Sequence, residues 1–238
     1  MKSSIKTTLV TLCVAGSALL ISGCDNDNNG VKRYEISVTN ATNNQPMSPL
    51  ALIIHANGYT GWQTGDPASD GLELLAESGD ASGFIAEAES NASALTQQMG
   101  DGLVLPGQTD TYTLMVTQGD ERASTGGGTE FTLATMPVNT NDAFVGLSAI
   151  DISGLESGDE RVLFARIYDA GTEENLETAA TIPGPAGGGE GFNAAREASD
   201  IVTLHGGVVT SSDGLSTSAL DQSHRFDNPG AKVVIRRL

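Results

Sequence analysis

Cysteine is nearly absent from this chain of 238 residues, and its two copies, Cys13 and Cys24, both lie near the N-terminus. The segment after Cys24 can therefore form no internal disulfide and offers no thiol nucleophile. Histidine is also scarce, with three residues that do not stand at the spacing of a zinc motif. Stability must consequently come from a hydrophobic core and from any bound ion.

Aromatic residues make up only 5% of the chain, whereas glycine is frequent, with 29 residues. This composition suits short strands joined by many turns. After the N-terminal segment, no apolar run approaches the roughly eighteen residues that a membrane-spanning helix requires. The serine-hydrolase signature G-x-S-x-G and the metalloprotease signature H-E-x-x-H are both missing, so no sequence motif supports catalysis.

Positive charge is scarce as well, because 12 lysines and arginines stand against 30 aspartates and glutamates and give a formal net charge of −18. A chain this acidic repels nucleic acid and anionic lipid head groups. We therefore expect no nucleic-acid partner and no direct contact with a membrane surface. The same charge attracts cations.

The N-terminus has the pattern of an export signal. A basic segment with Lys2 and Lys6 precedes an apolar segment from Leu9 to Ile21, which is too short for a permanent membrane span. The segment ends in Ile21-Ser22-Gly23-Cys24, which resembles the lipobox of bacterial lipoproteins. That resemblance implies acylation of Cys24 and removal of the residues before it; an ordinary signal peptide with an incidental cysteine is the alternative.

We therefore expect three parts: a lipoprotein signal peptide at 1–23, a polar tether at 24–33, and one domain at 34–238. Removing 1–23, which holds two lysines and no acidic residue, takes the formal charge from −18 to −20. The lipid would be the only contact with a membrane. The expected location is the bacterial cell envelope, on its extracytoplasmic side, with the leaflet left open.

Alternation of apolar and polar residues predicts one antiparallel β-sandwich of about eight strands with one or two short helices. The predicted strands cover residues 34–40, 50–56, 111–118, 130–136, 144–150, 162–168, 201–209 and 232–237.

The clearer helix pattern has Asp66 as its N-cap, Pro67 in its first turn and Gly79 at its end. Its apolar stripe is Leu72, Leu75 and Ala76. A weaker helix is predicted over 90–99.

Three acidic residues stand at the ends of two predicted strands. Asp142 comes just before strand 144–150, whereas Asp169 and Glu173 follow strand 162–168. If those strands are antiparallel neighbours, the three carboxylates gather at one rim of the sandwich. Without a lysine or arginine nearby they would repel each other unless a cation lay between them, and hard oxygen ligands select calcium.

Several blocks of sequence resemble the spondin N-terminal domain, known from secreted matrix proteins and bacterial lipoproteins. The resemblance covers about residues 34–238 and implies a β-sandwich similar to calcium-dependent membrane-binding domains, with one calcium ion at one edge. Matched by position, its ligands fall on Asp142, Asp169 and Glu173. Glu173 departs from the aspartate of animal members, and their cysteines are missing here. The blocks are 65–80, 137–152, 168–177, 181–185, 202–208 and 228–238.

The resemblance implies a recognition or adhesion module rather than an enzyme, with an extracellular or envelope ligand that is a protein or a glycan. Two alternatives remain open: a metal-assisted hydrolase that uses the carboxylate cluster, and a purely structural envelope protein. Tyr59 and Trp62 are candidates for a ligand-binding tip, or else for aromatic cover over the edge of the sandwich.

Overall fold

The computed structural model describes residues 30–117, 128–193, 195 and 198–238, so the predicted signal peptide and Cys24 lie outside the described residues. The described part is mostly β-structure, as predicted. Its first strand begins at Val31, within the predicted tether, rather than at Tyr34. The strands are β1 (Val31–Asn40), β2 (Ala51–Ala56), β3 (Ala94–Met99), β4 (Thr109–Thr117), β5 (Thr129–Thr135), β6 (Ala143–Asp151), β7 (Glu160–Asp169), β8 (Thr203–Leu204) and β9 (Ala231–Arg237).

All strand pairs are antiparallel, and the order along the sheet is β3-β2-β5-β6-β7-β9-β1-β4, with β8 added beside β7. Strand β7 belongs to both layers. Its first half pairs with β9, and its second half pairs with β6 and β8. The sheet thereby folds into two facing layers, which confirms the prediction of an all-β sandwich.

The main core lies between these layers and follows the predicted alternation. In β1 the side chains of Tyr34, Ile36 and Val38 are fully buried, and they meet Val233 and Ile235 of β9 in the same apolar cluster. Burying an aliphatic side chain of this size stabilises the fold by about 1.5–3 kcal/mol.

Two α-helices, α1 (Asp70–Ser78) and α2 (Ser82–Ser90), cover the outer face of the β6 layer. The apolar stripe of α1 is buried as predicted, and Gly79 ends the helix with a left-handed φ of 75°. The predicted N-cap Asp66 was wrong, because Ser69 Oγ accepts the amide hydrogen of Leu72 and caps the helix instead. Within the described residues, no helix is long and apolar enough to cross a membrane.

The weaker helix predicted over 90–99 was also wrong. Helix α2 ends before Asn91, whose backbone is extended, and residues 94–99 form β3. Strand β3 pairs with β2, so tertiary pairing overrides the helix propensity of Leu95, Gln97 and Gln98. The predicted strand over 201–209 shortens to β8, because Gly207, at a φ of 88°, lies where the pattern would continue.

Candidate functional site

Strands β6 and β7 bring Asp142 and Asp169 to the same rim, as the sequence predicted. The strands are antiparallel neighbours, and Ala143 stands opposite Asp169 in their register. The carbonyl oxygen of Asp142 accepts a hydrogen bond from the amide of Ala170 at 3.1 Å. The last residue of β7 therefore lies beside the residue that precedes β6.

The chain after β7 wraps around the Asp142 side chain. Asp142 is fully buried, and its Oδ2 accepts hydrogen bonds from the amides of Thr172 at 2.9 Å and Glu173 at 3.0 Å. Gly171 makes this turn possible, because its φ is 75° and an added Cβ would come within 2.4 Å of the Ile201 carbonyl oxygen. The segment from Asp169 to Glu173 is thus a loop and not a helix.

Asp169 shapes the same loop from its other end. Its Oδ1 accepts the amide hydrogen of Gly171 at 2.8 Å, and its Oδ2 accepts from Asn175 Nδ2 at 2.6 Å. Asp169 is half-buried, whereas Glu173 is buried. The three predicted residues therefore belong to one loop system, in which Asp142 contacts the backbone that carries Glu173.

The electrostatics of this rim disfavour negative charge. Burial, and secondly the charge of Asp169, raise the pKa of Asp142 to about 7, although its bonds to the two amides oppose the shift. Two carboxylates in this setting resist ionising together unless a positive charge compensates them.

Several buried oxygens at the rim have no hydrogen-bond partner among the described residues. Among them are Asn141 Oδ1, Asp142 Oδ1 and Thr172 Oγ1. Asn141 is held in place because its Nδ2 donates to the Glu174 carbonyl oxygen at 3.1 Å. An unsatisfied buried polar atom typically lowers the stability of the fold by about 1–3 kcal/mol. We therefore expect these oxygens to bind a partner such as an ion.

The donor set at the rim consists of carboxylate, amide and hydroxyl oxygens, which fits a hard cation such as calcium better than zinc or copper. Within the described part of the chain, no three His, Cys, Asp or Glu side chains lie close enough together to enclose a metal ion. Calcium commonly takes six to eight oxygens, including amide and backbone oxygens. Asn141 and backbone carbonyls are therefore as relevant here as the predicted carboxylates.

Two further buried acids at this rim were missed by sequence reasoning. Glu177 has a left-handed φ of 54°, and its Oε1 accepts the amide hydrogen of Val209 at 3.2 Å. Burial raises the pKa of Glu177 to about 7. Glu77 of α1 is buried, accepts the amide hydrogen of Asn193 at 2.9 Å, and contributes to the raised pKa of Asp142. The sequence feature that could have indicated Glu177 is its place in the acidic loop that follows β7.

His55 and the predicted aromatic tip lie elsewhere, whereas His205 is buried near Asp169; burial lowers the pKa of His205, and the charge of Asp169 opposes that shift. His55 is fully buried beside Thr132, with Nε2 and Oγ1 2.9 Å apart, and burial lowers its pKa. Tyr59 and Trp62 are each 8% exposed. Trp62 packs edge-on against Phe144, with ring centroids 4.9 Å apart. This burial agrees with the interpretation of the two rings as aromatic cover.

No protein-family model matches the chain, and no curated protein matches it. The chemistry of the site's own residues is therefore the basis for a functional assignment.

Proposed function

We propose that this protein is a lipid-anchored, extracytoplasmic recognition or adhesion module that binds one calcium ion at Asp142, Asp169 and Glu173, whose side chains close around the ion when it binds. The observation that carries the proposal is the state of Asp142. Its carboxylate is fully buried, its pKa is raised to about 7, and its Oδ1 has no hydrogen-bond partner among the described residues. A calcium ion would supply the charge and the contact that this oxygen lacks.

The position of the site supports a structural effect of calcium on the rim. Asp142 precedes β6, and the loop that carries Glu173 follows β7. An ion held by both segments would fix them relative to each other and would set the shape of the rim. Such an ion suits a module whose ligand contacts depend on ordered loops.

The proposal includes acylation at Cys24 and membership of the spondin N-terminal domain family. The lipobox pattern supports the first, and the ordered blocks of sequence similarity support the second. An all-β sandwich with acidic residues at one rim is what that resemblance implies.

The proposal is also that the protein is not an enzyme. A hydrolase needs a nucleophile aligned with a base, in addition to any metal. One hydroxyl at this rim, Thr172 Oγ1, forms no hydrogen bond to any described group. The two rim acids whose pKa is raised to about 7, Asp142 and Glu177, are both buried. These features support a binding role.

The test uses the full chain, tagged at its C-terminus and immobilised, and native cell-envelope extract passed over it in millimolar calcium or in chelator. We expect one or more envelope components to be retained in calcium and released by chelator. Asp142→Asn should retain them poorly under both conditions.

The matched control is Asp101→Asn, which changes an exposed aspartate elsewhere. It should behave as the wild type does. Two results would contradict calcium-dependent recognition at this site. In the first, the wild type retains the components equally in calcium and in chelator. In the second, Asp142→Asn retains them in calcium as well as the wild type does.

A further inference from the structure

Strand β7 has an open edge along its first half. It pairs with β6 only between Arg166 and Asp169, whereas its first half, 160–165, pairs with β9 on the opposite side. Strand β6 continues to Asp151 with β5 as its partner. The two strands therefore separate after the pair of Gly146 and Arg166. Within the described residues, no strand covers the side of β7 160–165 that faces β6.

The open edge presents unpaired backbone groups in a regular pattern. The carbonyl oxygens of Asp159 and Ala165 accept hydrogen bonds from the segment that contains β9. In an antiparallel strand alternate residues point their amide and carbonyl groups to the same side. The backbone groups of Val162 and Phe164 therefore point to the open side, where no described strand reaches them. This pattern is the template for adding another strand.

The facing edge of β6 is a poorer template. Its pairing with β5 shifts register opposite Phe131 to Leu133, and Ala149 has a left-handed φ of 53°. The guanidinium of Arg161 also donates to the carbonyl oxygen of Asp151. Bulges and capped carbonyls interrupt strand pairing, whereas β7 keeps an unbroken register along its open half.

A cavity of about 270 Å³ lies where the two strands separate, and we refer to it as the fork cavity. Its walls include the rings of Trp62, Tyr168 and Phe164, together with the guanidinium-bearing Arg166. Trp62 lies directly on Gly146, since an added Cβ there would be 2.4 Å from the indole Cη2. The cavity is thus a preformed aromatic recess with one cation at its side.

The surface beside the open edge is apolar and on balance basic, unlike the rest of this acidic chain, because the acid in this half of β7, Glu160, stands opposite Arg236 of β9. Phe164 is 60% exposed and Val162 is 46% exposed. Lys232 stands opposite Phe164 in the β7–β9 register, and Arg166 is also exposed. Neither cation forms an ion pair within the described part of the chain. A partner that carries carboxylates complements this surface.

We propose that the open edge of β7 binds an extended acidic segment of a partner protein, which adds as a strand beside residues 160–165. An apolar side chain of that segment enters the fork cavity, and a carboxylate lies against Arg166. A second copy of this chain matches only part of this surface: an antiparallel β7–β7 pair centred on Leu163 would set Glu160 opposite Arg166 of the other copy, but it would offer Lys232 no acid from β7. The assignment is independent of calcium.

The first test is a selection of displayed random peptides, about nine residues long so that they span the open edge, on the immobilised full chain. We expect enrichment of sequences in which acidic residues alternate with aromatic or aliphatic ones. Arg166→Glu and Phe164→Ser change exposed side chains and should not enrich them. Phe192→Ser, which changes an aromatic residue 43% exposed outside the edge, is the matched control and should enrich them as the wild type does.

The second test uses an enriched peptide as the probe and the fluorescence of Trp62, the single tryptophan of the chain, as the signal. Binding should be saturable and about tenfold or more weaker for Arg166→Glu. Methylating the backbone nitrogens of alternate peptide residues on the bonding side should abolish binding, and methylation on the other side should not, because strand addition uses one side only.

Several results would overturn the proposal. They are enrichment that is equal on Arg166→Glu, binding that tolerates methylation on both sides, and a Trp62 response to glucuronate or other acidic sugars but not to peptide. A dimer in sedimentation that Phe164→Ser dissociates would assign the edge to a second copy instead.

Discussion

Replacing Asp142 by asparagine should stabilise the protein when calcium is absent and the pH is above neutral. The substitution keeps the shape of the side chain, so one oxygen can still accept the amide hydrogens of Thr172 and Glu173 that now bond Oδ2. It removes the charge that burial and Asp169 disfavour. The effect should depend on pH in a way that a simple loss of packing does not.

The magnitude follows from the pKa of Asp142, which rises from 3.8 to about 7 on folding. Below the lower pKa the group is neutral in both states and carries no penalty. Between pH 3.8 and about 7 the unfolded state releases this proton while the folded state keeps it, so the stability of the wild type falls progressively. Above the higher pKa the loss is complete at about 4 kcal/mol, since each unit corresponds to about 1.36 kcal/mol. The asparagine variant has no such loss.

The assay is urea unfolding of wild type and Asp142→Asn at pH 4 and pH 8, in chelator and in saturating calcium. In chelator the variant should match the wild type at pH 4 and unfold about 2 M later in urea at pH 8, for a slope of about 2 kcal/mol per M. Calcium at 100 times its dissociation constant should raise the free energy of unfolding of the wild type by about 2.7 kcal/mol and should leave that of the variant almost unchanged.

Asp101→Asn is the control for a general change in net charge, because Asp101 is exposed. It should leave the urea midpoint nearly unchanged at both pH values. If the difference between wild type and Asp142→Asn in chelator is the same at pH 4 and pH 8, the buried carboxylate is not disfavoured and the reasoning fails.

Three other substitutions test separate parts of the structure. Glu177→Gln should raise stability in chelator above pH 7 by about 3 kcal/mol, because burial raises the pKa of Glu177 from 4.5 to about 7. Urea unfolding at pH 4 and pH 8 measures the gain, and a gain that does not depend on pH would contradict it. Ser69→Ala should lower the free energy of unfolding by about 1 kcal/mol and Tm by about 2–4 °C, because Ser69 Oγ caps α1. A Tm that calorimetry finds unchanged would show that the cap contributes nothing to stability. Cys24→Ala should abolish metabolic labelling by an acyl analogue, and labelling at the wild-type level would rule out acylation there.

The meeting of β6 and β7 at the candidate site could be predicted because acidic residues flank the two apolar strands: Asp142 precedes β6, and Asp169 ends β7. Asp142 and Asp169 lie within five residues of hydrophobic runs whose antiparallel pairing forces their ends together. The positions of Asp142 and Asp169 are therefore determined by the local sequence and by the pairing of β6 with β7. By contrast, Glu77 reaches the rim only because α1 packs over the sheet, and that packing is not visible in any short stretch of sequence.

Local signals failed where two of them competed or where tertiary pairing decided the outcome. Asp66 and Ser69 are both good N-caps, and only the geometry of the chain selects Ser69. Residues 94–99 contain helix-forming side chains, but pairing with β2 makes them a strand. The exchange of partners along β7, which opens its edge, leaves no mark on the alternation of that strand.

The most direct test of the calcium site is a diffraction experiment on crystals of the full chain grown in millimolar calcium. The account predicts one calcium peak in the anomalous difference map, about 2.3–2.6 Å from Asp142 Oδ1, with oxygens of Asp169 and Glu173 also coordinating the ion. A water or nothing at that position, or a calcium peak bound elsewhere while these carboxylates stay uncoordinated, would contradict it.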